Sequence, residues 1–380
     1  MTKDIKSKVK INIAITANTG WYIYNFRLNF IKFLSFRNYK VYIICPKDKY
    51  SERLIDMGFS VYYWNLNRKS LNLFFELLNV FRLIKIYSKI KPEIVHHFTL
   101  KACLYGTISA SLCRINNIIN SITGIGSLFI SKSIKTRIIL FSFRYVFSYI
   151  FKNLSKKLIF QNTNDRNFFI KRNLISMHKS VVIPGSGIDI NQFKPKNKKI
   201  NLKEFKLLFP SRILKEKGII ELIDACKLLW NINLPIILFI AGDLDPGNRS
   251  SLTIEELNKF RNNKNIKLLG HIENIREIYE KVDVVVLPSW REGLSRSLLE
   301  AASMQKAIIT TNVPGCKEIV EDNKTGLIVN IRNPKDIKRS ILKYYRNPYL
   351  IKKYGEAARV KVIKEFEVQR INSLTINQYK

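Results

Sequence analysis

The sequence predicts an α/β protein built from two doubly wound units in tandem, each around a parallel β-sheet. Short runs rich in Val, Ile and Phe alternate with longer runs of helical spacing in both halves of the chain. This alternation is typical of parallel sheets whose strands are joined by helices. The 380 residues suffice for two domains with separate cores. Turn-forming residues from Pro184 to Pro195 mark the predicted linker.

The first half opens with a strand, a polar turn at residues 18–20 and a helix. Pro92 ends the third predicted helix, because proline cannot continue a helix. The predicted strands are 11–17, 41–45, 60–64, 93–98, 118–123 and 157–161, and the predicted helices are 22–36, 51–57 and 71–90.

The second half repeats this rhythm, and the two halves give the predicted domains. These are an N-terminal domain at 1–184, a C-terminal domain at 185–362, and a helix at 363–380 that crosses back to the first domain. Two such sheets facing each other would enclose a central cleft at the carboxyl ends of their strands. The predicted strands are 206–211, 235–241, 266–269, 283–287, 307–311 and 326–329, and the predicted helices are 218–230 and 275–280.

The composition is strongly basic, with 65 Lys and Arg against 29 Asp and Glu and a formal net charge of +36. Such a balance favours an anionic partner: nucleic acid, a phosphorylated substrate or an acidic lipid surface. A lysine-rich composition throughout the chain is the alternative explanation. The hydrophobic fraction of 46% indicates a globular protein.

The five cysteines are scattered without a CxxC pair, which argues against a zinc site and a disulfide framework. A reducing compartment therefore fits best. The N-terminus lacks a signal-peptide pattern, and we find no apolar run of the roughly 18 residues that a membrane span needs. We expect a cytoplasmic protein.

The turn after the predicted strand 283–287 is the leading candidate for a ligand site. Gly293 removes a side chain where a ligand must approach the backbone. We expect the amides of Gly293, Leu294 and Ser295 to point out of a helix N-terminus, which suits a diphosphate. Glu292 and Glu300 flank this turn and could accept hydrogen bonds from hydroxyl groups. The alternative is an ordinary acidic first turn followed by a solvated helical glutamate.

A second polar loop follows the strand 206–211 and carries Arg212 and Lys217. A guanidinium and an ammonium group can neutralise a diphosphate leaving group as its charge develops. The alternative is that both are ordinary surface charges of a lysine-rich chain.

These loops belong to longer segments that resemble the retaining glycosyltransferases of family GT4, which have the GT-B fold. The C-terminal signature is PSWREGLSRSLLEAASMQKAIITTNVPGCKEIVEDNKTGLIV, with an E-x7-E element at Glu292 and Glu300. The Arg/Lys loop is PSRILKEKGIIELIDA, and IPGSGIDINQFKP resembles the interdomain segment. In the N-terminal half, TGWYIYNFRLNFIKFL, PEIVHHFTLKACLYG and SITGIGSLF resemble members that build bacterial surface polysaccharides and lipid-linked oligosaccharides.

The resemblance implies a role for each matching residue. Glu292 would orient hydroxyls of the donor sugar, and Glu300 would bind the nucleotide ribose. Arg212 and Lys217 would pair with the diphosphate. Gly20 would line the cleft from the N-terminal domain, where bulk would block the donor; a plain turn glycine is the alternative.

On the acceptor side the chain departs from many relatives, which carry a histidine after an N-terminal strand. The corresponding stretch, 121–126, has none. We expect Thr123 and Gly124 to shape that wall instead, with Asn18 and Thr19 nearby. His97 could also reach the cleft, although a structural histidine is the alternative.

No metal is expected, because the resemblance implies that protein cations stabilise the diphosphate. We therefore interpret 243–245 as a loop rather than a metal-binding acidic pair.

The stretch 131–157 has Lys and Arg at both ends and aromatic residues between them. It could lie at an anionic membrane surface or be a buried helix with basic ends.

We interpret the chain as a retaining glycosyltransferase of cell-surface glycan synthesis. It would move a hexose or N-acetylhexosamine from a UDP-sugar to a saccharide acceptor that is linked to a lipid by polyprenyl diphosphate. The alternatives are a UDP-sugar epimerase of similar fold, which needs acid/base residues near the sugar, and a basic nucleic-acid-binding protein, for which no recognition motif is present.

Overall fold

The computed structural model of the chain describes residues 10–66, 73–124, 145–196, 200–248 and 250–380. It divides the chain into two compact units: an N-terminal unit that ends at Ser186 and includes Ile371–Lys380, and a C-terminal unit of Gly187–Arg370. The first boundary lies two residues from the predicted one. The return to the N-terminal unit begins later than predicted, because a helix ending at Phe366 still packs in the core of the C-terminal unit.

The described part of the N-terminal unit contains a seven-stranded parallel sheet of order β3-β2-β1-β4-β5-β6-β7. Six of its strands match the predicted ones within two residues, and the short seventh was not predicted. The strands are β1 Ile11–Ala17, β2 Tyr39–Cys45, β3 Ser60–Tyr63, β4 Ile94–Phe98, β5 Asn117–Ile122, β6 Lys157–Phe160 and β7 Ser180–Val182. The α-helices are α1 Gly20–Tyr22, α2 Leu28–Ser35, α3 Lys49–Asp56, α4 Leu73–Ile90, α5 Leu100–Leu112 and α6 Thr163–Lys171, with π-helical turns at Ile23–Arg27 and Ile150–Leu154.

Helices cover both faces of this sheet because successive strand residues point to opposite sides. On one face, Ile13 and Ile15 of β1 join a core with Leu34 of α2. On the other face, Ala14 joins a core with Leu83 of α4. The predicted doubly wound architecture is therefore confirmed for this unit.

Two adjacent histidines of β4 occupy buried polar networks on opposite faces. His97 places Nδ1 2.8 Å from Asn120 Oδ1 and Nε2 2.9 Å from the Tyr87 hydroxyl. His96 places Nδ1 2.8 Å from the Tyr379 hydroxyl and Nε2 2.7 Å from Ser121 Oγ. Both imidazoles are fully buried. The structure thus does not support His97 as an acceptor-side residue, because it lies inside the strand and both ring nitrogens have partners.

The two histidines should make the stability of the fold depend on pH. Burial lowers the pKa of His97 to about 4 and lowers that of His96 well below its ordinary value of 6.5. The unfolded chain therefore binds protons first, and we expect the free energy of unfolding to fall as the pH drops from about 6.5 toward 4. The slope contributed by each histidine rises from near zero above pH 7.5 toward a limit of about 1.4 kcal/mol per pH unit well below pH 6.5.

Urea unfolding at several pH values between 7.5 and 5.5 measures this slope. In His97→Gln we expect a lower free energy of unfolding at pH 7.5. We also expect its change with pH to be smaller by the contribution of one histidine. An unchanged slope in that variant would show that His97 does not titrate as its burial predicts.

The C-terminal unit contains a six-stranded parallel sheet of order β10-β9-β8-β11-β12-β13 in its described residues. Every predicted strand is present within one residue at either end. The strands are β8 Phe205–Pro210, β9 Ile236–Ala241, β10 Ile266–Gly270, β11 Val284–Leu287, β12 Ala307–Thr311 and β13 Leu327–Val329. The helices are α7 Ile219–Trp230, α8 Ile254–Arg261, α9 Arg276–Lys281, α10 Arg296–Ser303, α11 Pro334–Arg346 and α12 Pro348–Phe366, and Lys215–Lys217 form a 3-10 turn. The last helix, α13 Val368–Ile376, begins in this unit and continues from Ile371 in the N-terminal unit.

The strand order reverses between β8 and β11, since β9 and β10 lie on one side of this pair and β12 and β13 on the other. Open α/β sheets bind ligands at such a switch point, beyond the carboxyl ends of the strands. The loops that follow β8 and β11 leave the sheet there side by side. Across the described ranges, no helix has both the length and the apolar character needed to cross a bilayer.

Candidate active site

The loops after β8 and β11 are joined to each other at their backbones. The Trp290 amide donates to the Glu216 carbonyl at 2.9 Å. Gly218 has a φ of +77°, and a Cβ at this position would lie 2.2 Å from the Pro288 carbonyl oxygen. A side chain at residue 218 would therefore push the two loops apart. This packing fixes Lys217 beside the loop that carries Glu292.

Lys217 and Glu292 form an ion pair at this junction. Lys217 Nζ lies 2.6 Å from Glu292 Oε1, and the side chains are 14% and 13% exposed. The buried Ser289 donates to the same oxygen at 2.9 Å, and the Thr311 hydroxyl donates to the Ser289 carbonyl. Since both contacts on Glu292 use Oε1, the carboxylate is oriented by the protein before any ligand binds.

The loop after β12 closes on the same turn. Gly315 has a φ of +80°, and a Cβ there would lie 2.8 Å from Glu292 Cβ and 2.7 Å from the Gly293 carbonyl oxygen. The Gly315 carbonyl accepts a hydrogen bond from the Ser295 amide at 3.1 Å. The predicted use of the Ser295 amide for a diphosphate is therefore not supported, because that amide already has a backbone partner.

The helix after this turn begins at Arg296, after the three residues whose amides were predicted to lie at its N-terminus. Gly293 and Leu294 form a bend, and Ser295 is the N-cap of α10, its Oγ accepting from the Leu298 amide at 3.4 Å. The amides at the helix N-terminus are those of Arg296 and Ser297. The positive end of the helix dipole remains beside Glu292, where an anionic group would be stabilised.

Glu300 of α10 is buried, which excludes the alternative of a solvated helical glutamate. Arg296 Nε donates to its Oε1 at 2.9 Å, and the Tyr279 hydroxyl lies 3.3 Å from its Oε2. Burial raises the pKa of the Glu300 carboxyl, and the Arg296 guanidinium and Tyr279 hydroxyl oppose that rise. The carboxylate is held rigidly about one turn into the helix.

Arg212 lies in the predicted loop, but its partner is a residue that sequence reasoning did not assign. Its Nη1 lies 2.5 Å from Asp245 Oδ2, and the side chains are 51% and 31% exposed. Asp245 lies in the loop after β9, as predicted for residues 243–245. Within the described residues, no hydrogen bond or ion pair joins Arg212 to Lys217 or Glu292.

Sequence reasoning also missed the contacts that Trp290 makes with Glu221 and Arg332. The Trp290 indole donates to Glu221 Oε1 of α7 at 3.0 Å, and the Arg332 guanidinium lies 3.9 Å from the Trp290 ring centroid. Glu221 is 69 residues away in sequence, so no local pattern marks the contact. These two contacts of Trp290 fix the start of the turn that carries Glu292.

In the N-terminal unit, the loop after β1 is shaped by internal packing. A Cβ on Gly20 would lie 2.3 Å from Asp48 Oδ1 and 2.8 Å from the Ser51 amide, so glycine is needed for α1 to approach α3. Thr19 caps α1 by accepting from the Tyr22 amide at 3.0 Å. Asn18 is half-buried directly after β1.

Thr123 and Gly124 are half-buried and directly follow β5, at the carboxyl edge of the N-terminal sheet. Residues 125 and 126 of the predicted acceptor-side stretch, and residues 131–144 of the predicted membrane-surface stretch, lie outside the described residues, which resume at Tyr145. No three His, Cys, Asp or Glu side chains within the described ranges are grouped to hold a metal ion.

Two protein-family models match the chain in succession. The model described as Glycosyl transferase 4-like matches residues 12–162. The model described as Glycosyl transferases group 1 matches residues 190–361. The first covers the N-terminal sheet through β6, and the second covers the loops that carry Arg212, Lys217 and Glu292.

Relatives extend the similarity to most of the chain. An N,N'-diacetylbacillosaminyl-diphospho-undecaprenol alpha-1,3-N-acetylgalactosaminyltransferase of Campylobacter jejuni is 29% identical, over 87% of this chain and 88% of the relative. A capsular polysaccharide biosynthesis glycosyltransferase, CapM of Staphylococcus aureus, is 27% identical over 90% of both chains.

The solved structures agree on the fold. The Anabaena protein HepE in complex with UDP and glucose superposes with a TM-score of 0.79 at 17% identity, over 97% of this chain and 98% of HepE. That likeness supports the predicted GT-B fold of paired Rossmann-like domains. With both halves matched by the family models, the chain belongs to the glycosyltransferases, with a glycosyl transferase 4-like N-terminal part and a group 1 C-terminal part.

Proposed function

We propose that this chain is a retaining glycosyltransferase that moves a hexose or N-acetylhexosamine from a UDP-sugar to a saccharide carried on a polyprenyl diphosphate, in bacterial cell-surface glycan synthesis. The observation that carries the proposal is the enclosed Lys217–Glu292 pair at the switch point of the C-terminal sheet, beside the N-terminus of α10. A cation and a helix N-terminus can bind a diphosphate, and an oriented carboxylate can accept hydrogen bonds from sugar hydroxyls.

On the donor side, Lys217 binds the diphosphate together with the amides at the start of α10. Arg212 joins them by leaving its half-exposed ion pair with Asp245, which costs little because exposed pairs contribute only about 0–1 kcal/mol. Glu292 accepts hydrogen bonds from sugar hydroxyls, and Glu300 accepts from the ribose. In this proposal the protein cations take the place of a metal ion.

In the retaining course that we propose, Glu292 is not a covalent nucleophile. A covalent nucleophile must approach the anomeric carbon, but the described contacts hold Glu292 Oε1 against Lys217 and Ser289. We therefore favour a front-face reaction. The acceptor hydroxyl attacks from the side of the departing diphosphate, whose oxygen takes the acceptor proton while the bond from the anomeric carbon to the diphosphate breaks.

The acceptor assignment rests on the names of the relatives, one of which acts on a saccharide linked to diphospho-undecaprenol. Such an acceptor is held in the membrane, so the enzyme would work in the cytoplasm against the inner membrane face. Asn18, Thr19, Thr123 and Gly124, at the carboxyl edge of the N-terminal sheet, would bind its saccharide.

A panel of UDP- and GDP-sugars with a diphosphate-linked saccharide acceptor tests this function. Transfer should require a UDP-sugar, persist with EDTA, and give a product whose anomeric configuration by NMR matches that of the donor. An inverted product would refute retention. A new sugar nucleotide formed without acceptor would instead identify an epimerase.

A further inference from the structure

We propose that the outer surface of the helical layer formed by α4, α5 and residues 145–154 docks on an anionic lipid bilayer. We call it the basic-aromatic face. The inference deepens the proposed function, because it rests on a lipid-linked acceptor for its biological purpose. Its physical basis is separate and lies in the exposure and charge of the side chains on this layer.

The three segments pack together on one side of the N-terminal sheet. α5 contacts both α4 and the π-helical turn Ile150–Leu154. The inner side of the layer is apolar and buried, with Leu83 and Tyr87 of α4 and Phe151 of the turn in the cores. The outer side is therefore the surface that this layer presents to its surroundings.

That outer side carries several large apolar and aromatic side chains that are exposed. Leu77 and Phe81, one helical turn apart on α4, are 52% and 61% exposed. Tyr145, Val146 and Tyr149 are 74%, 50% and 59% exposed. Tyrosine is typical of the interface between lipid head groups and acyl chains, where its ring and hydroxyl are both accommodated.

The charges on the layer are almost entirely positive. Arg82, Lys85 and Lys89 are exposed on α4, one to three turns beyond Leu77. Glu76 is the one acidic residue in α4, α5 or 145–154, and it is buried against Lys101 Nζ at 2.6 Å. By contrast, α3 on the opposite side of the sheet exposes Glu52 and Asp56. An apolar stripe followed by cations, with no exposed acid, matches an anionic bilayer rather than a protein of mixed charge.

The test uses the full-length chain and vesicles that contain no saccharide acceptor. We expect co-flotation with vesicles of equal parts phosphatidylcholine and phosphatidylglycerol, weak binding to phosphatidylcholine alone, and loss of binding as salt rises. Leu77→Ser/Phe81→Ser should weaken binding about tenfold or more. Arg82→Gln/Lys85→Gln should weaken it by about 30-fold, at roughly fivefold per cation.

Matched controls carry the same substitutions elsewhere. Phe36→Ser alters an 88% exposed residue at the end of α2, on the other side of the sheet. Lys352→Gln/Lys353→Gln removes two exposed cations from α12 in the C-terminal unit. We expect the Phe36 control to bind like the parent chain and the lysine control to lose much less affinity than the α4 pair. Unchanged thermal unfolding would show that each variant is folded.

Two outcomes would overturn the inference: a parent chain that fails to float with anionic vesicles, or α4 variants that float as well as the controls. Transfer to a short-chain, water-soluble diphosphate acceptor is measured in parallel. Activity there without vesicle binding would reject the docking face and keep the proposed function. Vesicle binding without transfer to any diphosphate acceptor would support the docking face and reject the proposed function.

Discussion

Replacing Lys217 with alanine is expected to lower kcat/KM for a UDP-sugar by about 10²-fold or more, the scale of losing one preorganised charge stabiliser. The Lys217 ammonium is held in a largely enclosed position by Glu292, beside the N-terminus of α10. A cation fixed there can stabilise the charge that develops on the leaving diphosphate without reorganising during the reaction. Steady-state kinetics with the donor and acceptor from the transfer assay measure the effect.

Lys215→Ala is the matched control for this change. Lys215 lies in the same 3-10 turn and pairs with Glu256 at 2.7 Å, but these side chains are 44% and 33% exposed. The exposed pair should contribute little to stability and nothing to the reaction. If Lys217→Ala kept full activity, or if Lys215→Ala lost as much, the assignment of Lys217 to the diphosphate would be wrong.

The fold was largely predictable because its strands are continuous apolar runs between polar turns. Strands such as β11 and β12 are buried on both faces, as parallel strands between two helical layers must be, and their sequences show it directly. The strand Ser180–Val182 was missed because it is a short edge strand whose two valines are only half-buried, so it lacks the apolar run that marks the other strands. The end of the C-terminal unit was placed too early, since nothing in the composition near residue 363 separates helix α12 from the one that follows.

The site was predictable only in part, for a related physical reason. The sequence indicates which residues follow each strand, so Lys217 and Glu292 could be expected at one edge of the sheet. It does not indicate which partner each side chain meets there. Asp245 forms an ion pair with Arg212, and the Gly315 carbonyl accepts a hydrogen bond from the Ser295 amide. Both partners lie in loops that are distant in sequence. His97 looked accessible from the end of its strand, but Asn120 and Tyr87 enclose its ring.

Replacing Glu292 with glutamine should also lower kcat/KM by about 10²-fold. The amide keeps the size of the side chain and an oxygen that can accept from Ser289. It loses the negative charge that orients Lys217 and that binds sugar hydroxyls strongly. The same change at the exposed Glu277 of α9, which accepts from Asn274, should leave the kinetics unaltered.

Binding of UDP without its sugar separates the two roles. If Glu292 contacts the sugar as well as orienting Lys217, Glu292→Gln should weaken the binding of UDP, measured by calorimetry, less than Lys217→Ala does. An equal loss in both variants would place Glu292 at the diphosphate, through Lys217, and not at the sugar.

The loss of kcat/KM in the double variant Lys217→Ala/Glu292→Gln, compared with the losses in the two single variants, shows how strongly the two residues depend on each other. Independent contributions would multiply to a loss of about 10⁴-fold, whereas residues that act as a unit lose about as much together as each does alone. We expect the loss to fall between these limits. Glu292 positions Lys217 through the 2.6 Å ion pair, and that share of its effect disappears once Lys217 is gone. The remaining share reports the direct contact of Glu292 with the sugar, so full multiplication would mean that the ion pair does not position Lys217 for the reaction.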